Sequence, residues 1–416
     1  MPGLVHIPYL VFYTAIAFVL YVYIGYPILL WLWRVVASRR IRKTDYEPSV
    51  SIIVAAYNEV LSIERKILNL MALDYPASKR QIILSLDAPT DDTEQVARKF
   101  ELQTARIQVL LLRQHGGKAD ALNQAVAQAS GDIIVFADAR QLLDRTSVRE
   151  LMSNFEDSSV GAVTGELLLL DKSGKEAGDA VGLYWRYEKT LRSMESDIHS
   201  TLGATGALYA MRRELYRPIP VHTILDDVAI PMNAVLQGKR IVFDRAARAY
   251  DSVASSAATE FTRKVRTLTG NFQVLKQMPE LLLPWRNPVF IQFLSHKVGR
   301  LFVPYFLLAL FVSNLFLEGT VYRGVLAMQC AGYLAAAIGT VLARLPTFRA
   351  VGRARSLALF PYTFVLMNWA AVVGLHHFLR GRRDVWSGYG SGEVLANTKP
   401  LRELEPVSGT SLTDPA

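Results

Sequence analysis

The chain has 416 residues, enough for a complete α/β domain with further elements beside it. It is 51% hydrophobic and carries a formal net charge of +9. Its one cysteine, Cys330, excludes an internal disulfide and a cysteine-rich zinc site. A basic balance can indicate nucleic acid. Here, however, many of the cations flank apolar runs. Arg39, Arg40, Arg42 and Lys43 follow the first run, and Arg344, Arg349, Arg353 and Arg355 lie between two later ones. That is the positive-inside bias of a membrane protein, and no nucleic-acid partner is expected.

In chain order, residues 9–33 are apolar, long enough to cross a bilayer, and rich in Tyr and Trp. They predict an N-terminal transmembrane helix within residues 1–36. A cleaved signal peptide is the competing reading, but the stretch is too long and no basic segment precedes it. The cations after it predict a cytoplasmic domain, which spans residues 45–283. Its strand candidates are 50–56, 81–86, 107–112, 132–137 and 160–164. Helical patterns lie between them at 60–72, 92–103, 118–129 and 146–156. Such alternation predicts a mostly parallel sheet with helices on both faces.

Residues 284–297 mix Trp285, Phe290, Ile291, Phe293 and Leu294 with Arg286, His296 and Lys297. This predicts an amphipathic helix in the membrane surface, or one packed on the preceding domain. A membrane domain over 298–380 follows, with about three transmembrane helices at 298–318, 323–343 and 357–379. Four spans leave the C-terminus outside, yet Arg380, Arg382 and Arg383 favour the inside, so the last span has two topologies open to it. The polar tail, 387–416, is expected to be disordered.

Ligands of such sheets bind beyond the carboxyl ends of the strands. Polar clusters stand at four successive ends: Tyr57-Asn58-Glu59, Asp87 with Thr90-Asp91-Asp92, His115-Gly116-Gly117-Lys118, and Asp138-Ala139-Arg140. A Pro-Thr-Asp-Asp turn is commonly a helix cap. Backbone donors at a helix start plus a lysine suit phosphate. Four such clusters in series outweigh any one of them.

These segments resemble the family 2 glycosyltransferases over about residues 48–275, and the flanking spans resemble that family's membrane-bound branch. That branch includes synthases of cellulose, chitin, hyaluronan and poly-N-acetylglucosamine. The matching pieces are Ser51 to Glu59 (SIIVAAYNE), Ser85 to Asp91 (SLDAPTD), Gly117 to Asn123 (GKADALN) and Phe136-Ala137-Asp138. The resemblance implies an α/β nucleotide-sugar-binding fold plus transmembrane helices. It also implies that Ala56 and Glu59 line the nucleotide pocket, Asp87 holds base or ribose, and Lys118 neutralises the diphosphate. Asp138 would then sit by the diphosphate and its divalent cation, Mg²⁺ or Mn²⁺.

Sugar transfer needs a cation for the leaving diphosphate and a carboxylate for the acceptor's proton. The acids available are Asp226 and Asp227, at the start of a helical pattern running to Gln237. Alone they read as helix-start acids favoured by the macrodipole. The resemblance aligns them with the Thr-Glu-Asp motif and makes Asp227 the base. Upstream, Gly203, Thr205 and Gly206 lie in a Gly-rich stretch that forms an acceptor floor or a plain tight turn.

Two departures stand out. Arg263-Lys264-Val265-Arg266-Thr267 occupies the place of the Gln-x-x-Arg-Trp motif. Arg266, with Arg263 in place of the glutamine, falls on the donor side, where guanidinium suits phosphate. Threonine has replaced the indole. Arg140 has replaced the second acid of Asp-x-Asp, which leaves Asp138 as the metal-binding acid. The expected protein is an inverting transferase of the inner or plasma membrane, passing sugar from a UDP-sugar to a growing polysaccharide. Transfer of one sugar to a lipid-linked acceptor is the first alternative. A non-catalytic nucleotide-binding subunit, for example of a secretion complex, is the second.

Overall fold

The structure, a computed structural model, describes residues 6–39, 41–170, 180–252, 257–342 and 359–381, with the backbone alone for 180–185 and 257–259. The first elements are α1 (His6–Leu20), a π-helical turn (Tyr21–Gly25) and α2 (Tyr26–Ala37). Then come β1 (Val50–Ala56), α3 (Ile63–Met71), β2 (Arg80–Leu86), α4 (Thr93–Glu101), β3 (Ile107–Leu111), α5 (Lys118–Ala127), β4 (Ile133–Phe136) and β5 (Leu142–Leu143). The rest of the domain is α6 (Ser147–Met152), β6 (Val160–Leu170), α7 (Ala180–Ile198), β7 (Tyr209–Arg212), α8 (Asp226–Leu236), β8 (Arg240–Ser252) and α9 (Ala257–Gln277).

The strands form one sheet in the order β3-β2-β1-β4-β7-β6-β8-β5. β1 is buried along its whole length, as a parallel strand covered on both faces must be. Its side chains divide with the two-residue period. Ile53 packs with Ile83, Ile134 and α5 on one face, while Ile52 and Val54 pack with Leu84, Val135 and α3 on the other. β1 to β4 run parallel. The second half is mixed, because β7 is antiparallel to both β4 and β6, and β5 is antiparallel to β8. The mostly parallel prediction holds for β1–β4, the part built from βα units, and for β6 with β8, which also pair parallel.

Among the described residues, four helices are long and apolar enough to cross a membrane: His6–Ala37, Phe290–Asn314, Thr320–Leu342 and Phe360–Leu379. The first docks onto the end of α7. Arg34 lies 2.7 Å from Asp197, and the Arg240 guanidinium donates to the carbonyls of Arg39, Ser196 and His199. The expected boundary between an interfacial helix and a span falls at residues 297 and 298. Phe290–Asn314 is one continuous helix, carried through that point by a π-helical turn, Phe293–Val298. The Phe360–Leu379 helix packs on α9, where a β-carbon on Gly374 would stand 3.0 Å from Thr269 N. Arg344, Arg349, Arg353, Arg355, Arg382, Arg383 and the 387–416 tail lie outside the described residues.

Candidate active site

The loops after β1, β2 and β4 meet at one edge of the sheet. Ala56 is buried at the end of β1, and its carbonyl accepts from Asp87 N at 3.0 Å. Glu59 is half-buried, with its carboxylate hydrogen-bonded by the Ser62 hydroxyl. Burial raises the Glu59 pKa, against the pull of Ser62 and Arg140. The Asn58 side chain accepts from Thr90 N at 2.7 Å, and Asp91 accepts from Val60 N and Thr93 N. These bonds lock the first two loops together.

Asp87 is fully buried. Its carboxylate accepts from Gly116 N at 2.8 Å and Gly117 N at 2.9 Å, and lies 2.8 Å from His115 Nδ1. Both oxygens accept from the loop before α5, so Asp87 holds that loop. His115 stacks on Tyr57, with ring centroids 4.3 Å apart. Gly117 takes a φ of +87°, open to glycine at no steric cost. Lys118 follows as the first residue of α5.

The Lys118 ammonium lies 2.8 Å from Asp138 Oδ1 and 3.0 Å from Asp226 Oδ2. Burial opposes its charge, but Asp138 and Asp226 outweigh burial and raise its pKa. Arg140 turns away from this cluster. Its guanidinium donates to the buried Asp251 carboxylate at 2.6 Å, and Gln141 donates to the same group at 2.9 Å.

Asp226 and Asp227 open α8. The loop before them is held by α9: Ile224 N donates to Gln273 Oε1, and Gln273 Nε2 donates to the His222 carbonyl. Asp226 is buried and Asp227 half-buried. Burial, then the charge of Asp226, raises the Asp227 pKa to about 6, while Lys118 and Lys297 pull it down. The Gly-rich stretch packs on this helix start, with Ala204 N donating to the Asp227 carbonyl at 2.7 Å. Gly203 has a φ of +127° there, and Thr205 N is held by the Thr164 hydroxyl. Gly206 keeps a gap open. A β-carbon on it would lie 3.3 Å from Asp138 Oδ2 and 3.6 Å from Asp227 Oδ2.

Arg263 and Arg266 lie on α9, both half-buried. The Arg266 Nε is buried with no hydrogen bond among the described residues. Thr267 is exposed and donates its hydroxyl to the Arg263 carbonyl. Sequence reasoning missed the charged face that the Phe290–Asn314 helix turns toward the site. His296 Nδ1 lies 2.7 Å from Glu195, His296 Nε2 lies 3.0 Å from Glu188, and Arg300 donates to Glu188 at 2.7 Å. Lys297 lies between His296 and Arg300 in the sequence and is half-buried. The available signal was three basic residues, His296, Lys297 and Arg300, in a helix otherwise fit for a bilayer.

The arrangement offers a carboxylate with a raised pKa, a half-buried ammonium and a carboxylate oxygen with no hydrogen bond among the described residues, around one gap. Residues 51–219 match the family described as Glycosyl transferase family 2. The poly-beta-1,6-N-acetyl-D-glucosamine synthase of Staphylococcus aureus (strain COL) is 27% identical over 271 residues, 62% of this chain and 63% of that protein. The match thus spans under two thirds of that relative's length. The Staphylococcus epidermidis enzyme of the same name is 28% identical over 125 residues, 30% of each chain. Among solved structures, the mannosyltransferase PcManGT from Pyrobaculum calidifontis, in complex with GDP-Man and Mn²⁺, covers 89% of this chain and 99% of its own at a TM-score of 0.64. At 21% identity that likeness concerns the fold.

Proposed function

We propose that this chain, whose residues 51–219 form a family 2 glycosyltransferase domain, is an inverting enzyme. It would move sugar from a UDP-sugar to a growing polysaccharide at the cytoplasmic membrane face. The observation that carries the reading is the shared gap at Gly206, onto which Asp138 Oδ2 and Asp227 Oδ2 both face. The polymer named for the staphylococcal relatives supports the choice of acceptor.

In this reading the acceptor hydroxyl gives its proton to Asp227 as its oxygen bonds to the anomeric carbon. The bond from that carbon to the diphosphate breaks in the same displacement, and the nucleoside diphosphate leaves with the electron pair. One displacement inverts the anomeric centre. Lys118, and Arg266 from α9, take up the charge that gathers on the leaving group. Ala56, Glu59 and the His115–Tyr57 stack form the nucleotide side, and Gly203, Thr205 and Gly206 form the acceptor side.

The residues present fit a divalent cation. Asp138 Oδ1 is held by Lys118, but Oδ2 faces the Gly206 gap. Mg²⁺ or Mn²⁺ commonly takes few protein carboxylates and completes its shell with phosphate and water. Bound there, it would neutralise charge on the leaving diphosphate. Asp138 is the protein ligand in this reading, since Arg140 is turned to Asp251.

One observation favours a second reading, transfer of a single sugar to a lipid-linked acceptor. Thr267 offers no aromatic face to a polymer. Membranes containing the protein, incubated with a panel of radiolabelled UDP-sugars and Mg²⁺ or Mn²⁺, separate the two. A product that lengthens with time supports the first. A one-sugar glycolipid supports the second, and no transfer from any nucleotide sugar overturns both.

A further inference from the structure

Residues 216–225 form a strap that follows β7 and its 3₁₀ turn (Arg213–Leu215) and delivers Asp226 and Asp227 to the site. The sequence denies this strap regular backbone pairing. Pro218 and Pro220 have no N–H, so Ile219 carries the donor between them. Ile219 is buried, and a buried N–H and C=O need partners. Both find the same side chain. Ile219 N donates to Asn123 Oδ1 at 3.1 Å, and Asn123 Nδ2 donates to the Ile219 carbonyl at 2.8 Å. The Tyr216 hydroxyl donates to the same Oδ1 at 2.7 Å. The Asn123 amide thus pairs with the strap as a neighbouring peptide group would.

Asn123 stands on α5, about one and a half turns after Lys118. It ends the segment Gly117 to Asn123, of which donor binding uses only the start. The strap crosses the beginning of that helix: a β-carbon on Gly117 would stand 3.8 Å from the Val221 carbonyl oxygen. At its far end Gln273 of α9 holds Ile224 N and the His222 carbonyl, and Asp226 meets Lys118 at 3.0 Å. Tyr216 is buried, and its ring stacks on Phe136, two residues before Asp138, with centroids 6.2 Å apart. One helix therefore carries both the ammonium that faces the donor and the amide that fixes the strap ahead of the base. A rigid element of this kind holds a site more closely than a loop can hold itself.

We infer that Asn123 is a positioning residue, which fastens the strap to α5 and so sets where Asp227 stands relative to Lys118. It acts through the strap and the start of α8, without touching substrate. The inference rests on the transferase reading for the role of Asp227. A displacement of about 1 Å at a reacting group can cost about 10²-fold in rate, so a loosened strap is felt in turnover. It is also felt in the burial of Asp227, the largest cause of that residue's raised pKa.

The test uses the purified full-length protein in detergent, and its first arm needs no substrate. Asp227→Asn is introduced into the unaltered chain, into Asn123→Leu and into Asn154→Ala, and melting temperatures are compared at pH 7.5. Asn154→Ala is the control, because it removes hydrogen bonds to Asp244 and the Glu150 carbonyl, outside the strap. In the unaltered chain Asp227→Asn raises the melting temperature, since no carboxylate is then ionised in a buried place. The expected result is that this gain shrinks by about half or more in Asn123→Leu and stays whole in Asn154→Ala. An effect of Asp227→Asn that is the same in Asn123→Leu as in the unaltered chain overturns the inference. A gain that shrinks equally in both backgrounds also overturns it. Tyr216→Phe removes one of the three bonds and serves if Asn123→Leu does not fold; an undiminished gain there overturns the inference as well. The second arm uses the radiolabelled UDP-sugar that yields product, with UDP as the binding probe. Asn123→Leu should lower kcat about tenfold or more while UDP affinity stays within about twofold. An unchanged kcat, or a UDP affinity that falls in step with kcat, overturns the inference. Absence of transfer by the unaltered chain counts against the transferase reading alone, because the melting comparison still reports on the strap.

Discussion

Lys118 Nζ lies 2.8 Å from Asp138 Oδ1, so the first residue of α5 and the acid that follows β4 form one ion pair. The same ammonium lies 3.0 Å from Asp226 on α8. One side chain thus links the donor half of the site to the helix that carries Asp227. Replacing it with methionine leaves two acids close together without their cation. Lys118→Met is expected to lower kcat by about 10²-fold or more and weaken donor binding. Steady-state kinetics with varied donor concentration check both.

Asp227→Asn is expected to lower turnover by about two to four powers of ten, the usual worth of a general base. UDP binding should persist, since the amide keeps the shape of the side chain. Normal turnover by this variant would remove Asp227 from the base role.

The same residue sets a pH dependence. Its folded pKa is about 6, above its ordinary 3.8, because burial and Asp226 disfavour the anion. A base must be ionised, so kcat/KM is expected to fall about tenfold per pH unit below pH 6 and to level off above about pH 7. Stability has the opposite sense. A raised carboxyl pKa contributes stability below the unfolded value, and that contribution is lost as pH rises through the folded one. At pH 7.5 Asp227→Asn should therefore be the more stable protein, by on the order of 1–3 kcal/mol. Thermal unfolding at pH 7.5 and at pH 4.5 checks the sign, because the advantage should shrink at the lower pH.

Gly206→Ala places a methyl 3.3 Å from Asp138 Oδ2 and 3.6 Å from Asp227 Oδ2. Those are tight but tolerable contacts, so the fold should survive. The gap between the acids does not. The expected outcome is a loss of activity of about tenfold or more with little change in melting temperature. A weaker dependence of activity on Mg²⁺ or Mn²⁺ concentration than in the unaltered chain would count against a cation at Asp138.

Much of the site was legible because βα units bring successive strand ends together by local spacing alone. Glu59, Asp87, Lys118 and Asp138 each follow a strand within a few residues, and the fold gathers them at one edge. What the sequence hid depends on distant partners. Asp87 reads as a ligand-facing acid, and its carboxylate also accepts from the amides of Gly116 and Gly117, 29 and 30 residues on. The partner of Arg140 lies 111 positions later on β8. His296 and Lys297 read as one flank of an interfacial helix, because the glutamates that hold that helix are about a hundred residues upstream. Periodicity reports which face is polar and not what it meets.

The Arg140–Asp251 pair gives the last prediction. Asp251 is buried, and its carboxylate also accepts from Gln141. Removing the guanidinium leaves a buried charge with only neutral donors, Gln141 Nε2 and Ser252 N, which should cost about 3 kcal/mol in Arg140→Ala. Replacing both partners should cost less, since Asp251→Asn puts a neutral amide there and leaves no charge to strand. Arg140→Ala with Asp251→Asn is therefore expected to recover more than half of the loss, as read in a double-mutant cycle from denaturant unfolding. Arg140→Asp restores a second acid to the motif but sets it against Asp251. That variant should be the least stable of the set and should gain no divalent-cation affinity unless Asp251→Asn accompanies it. A gain in cation affinity by Arg140→Asp alone would mean that position 140 swings freely to the donor side, against the 2.6 Å bond that now holds it on β8.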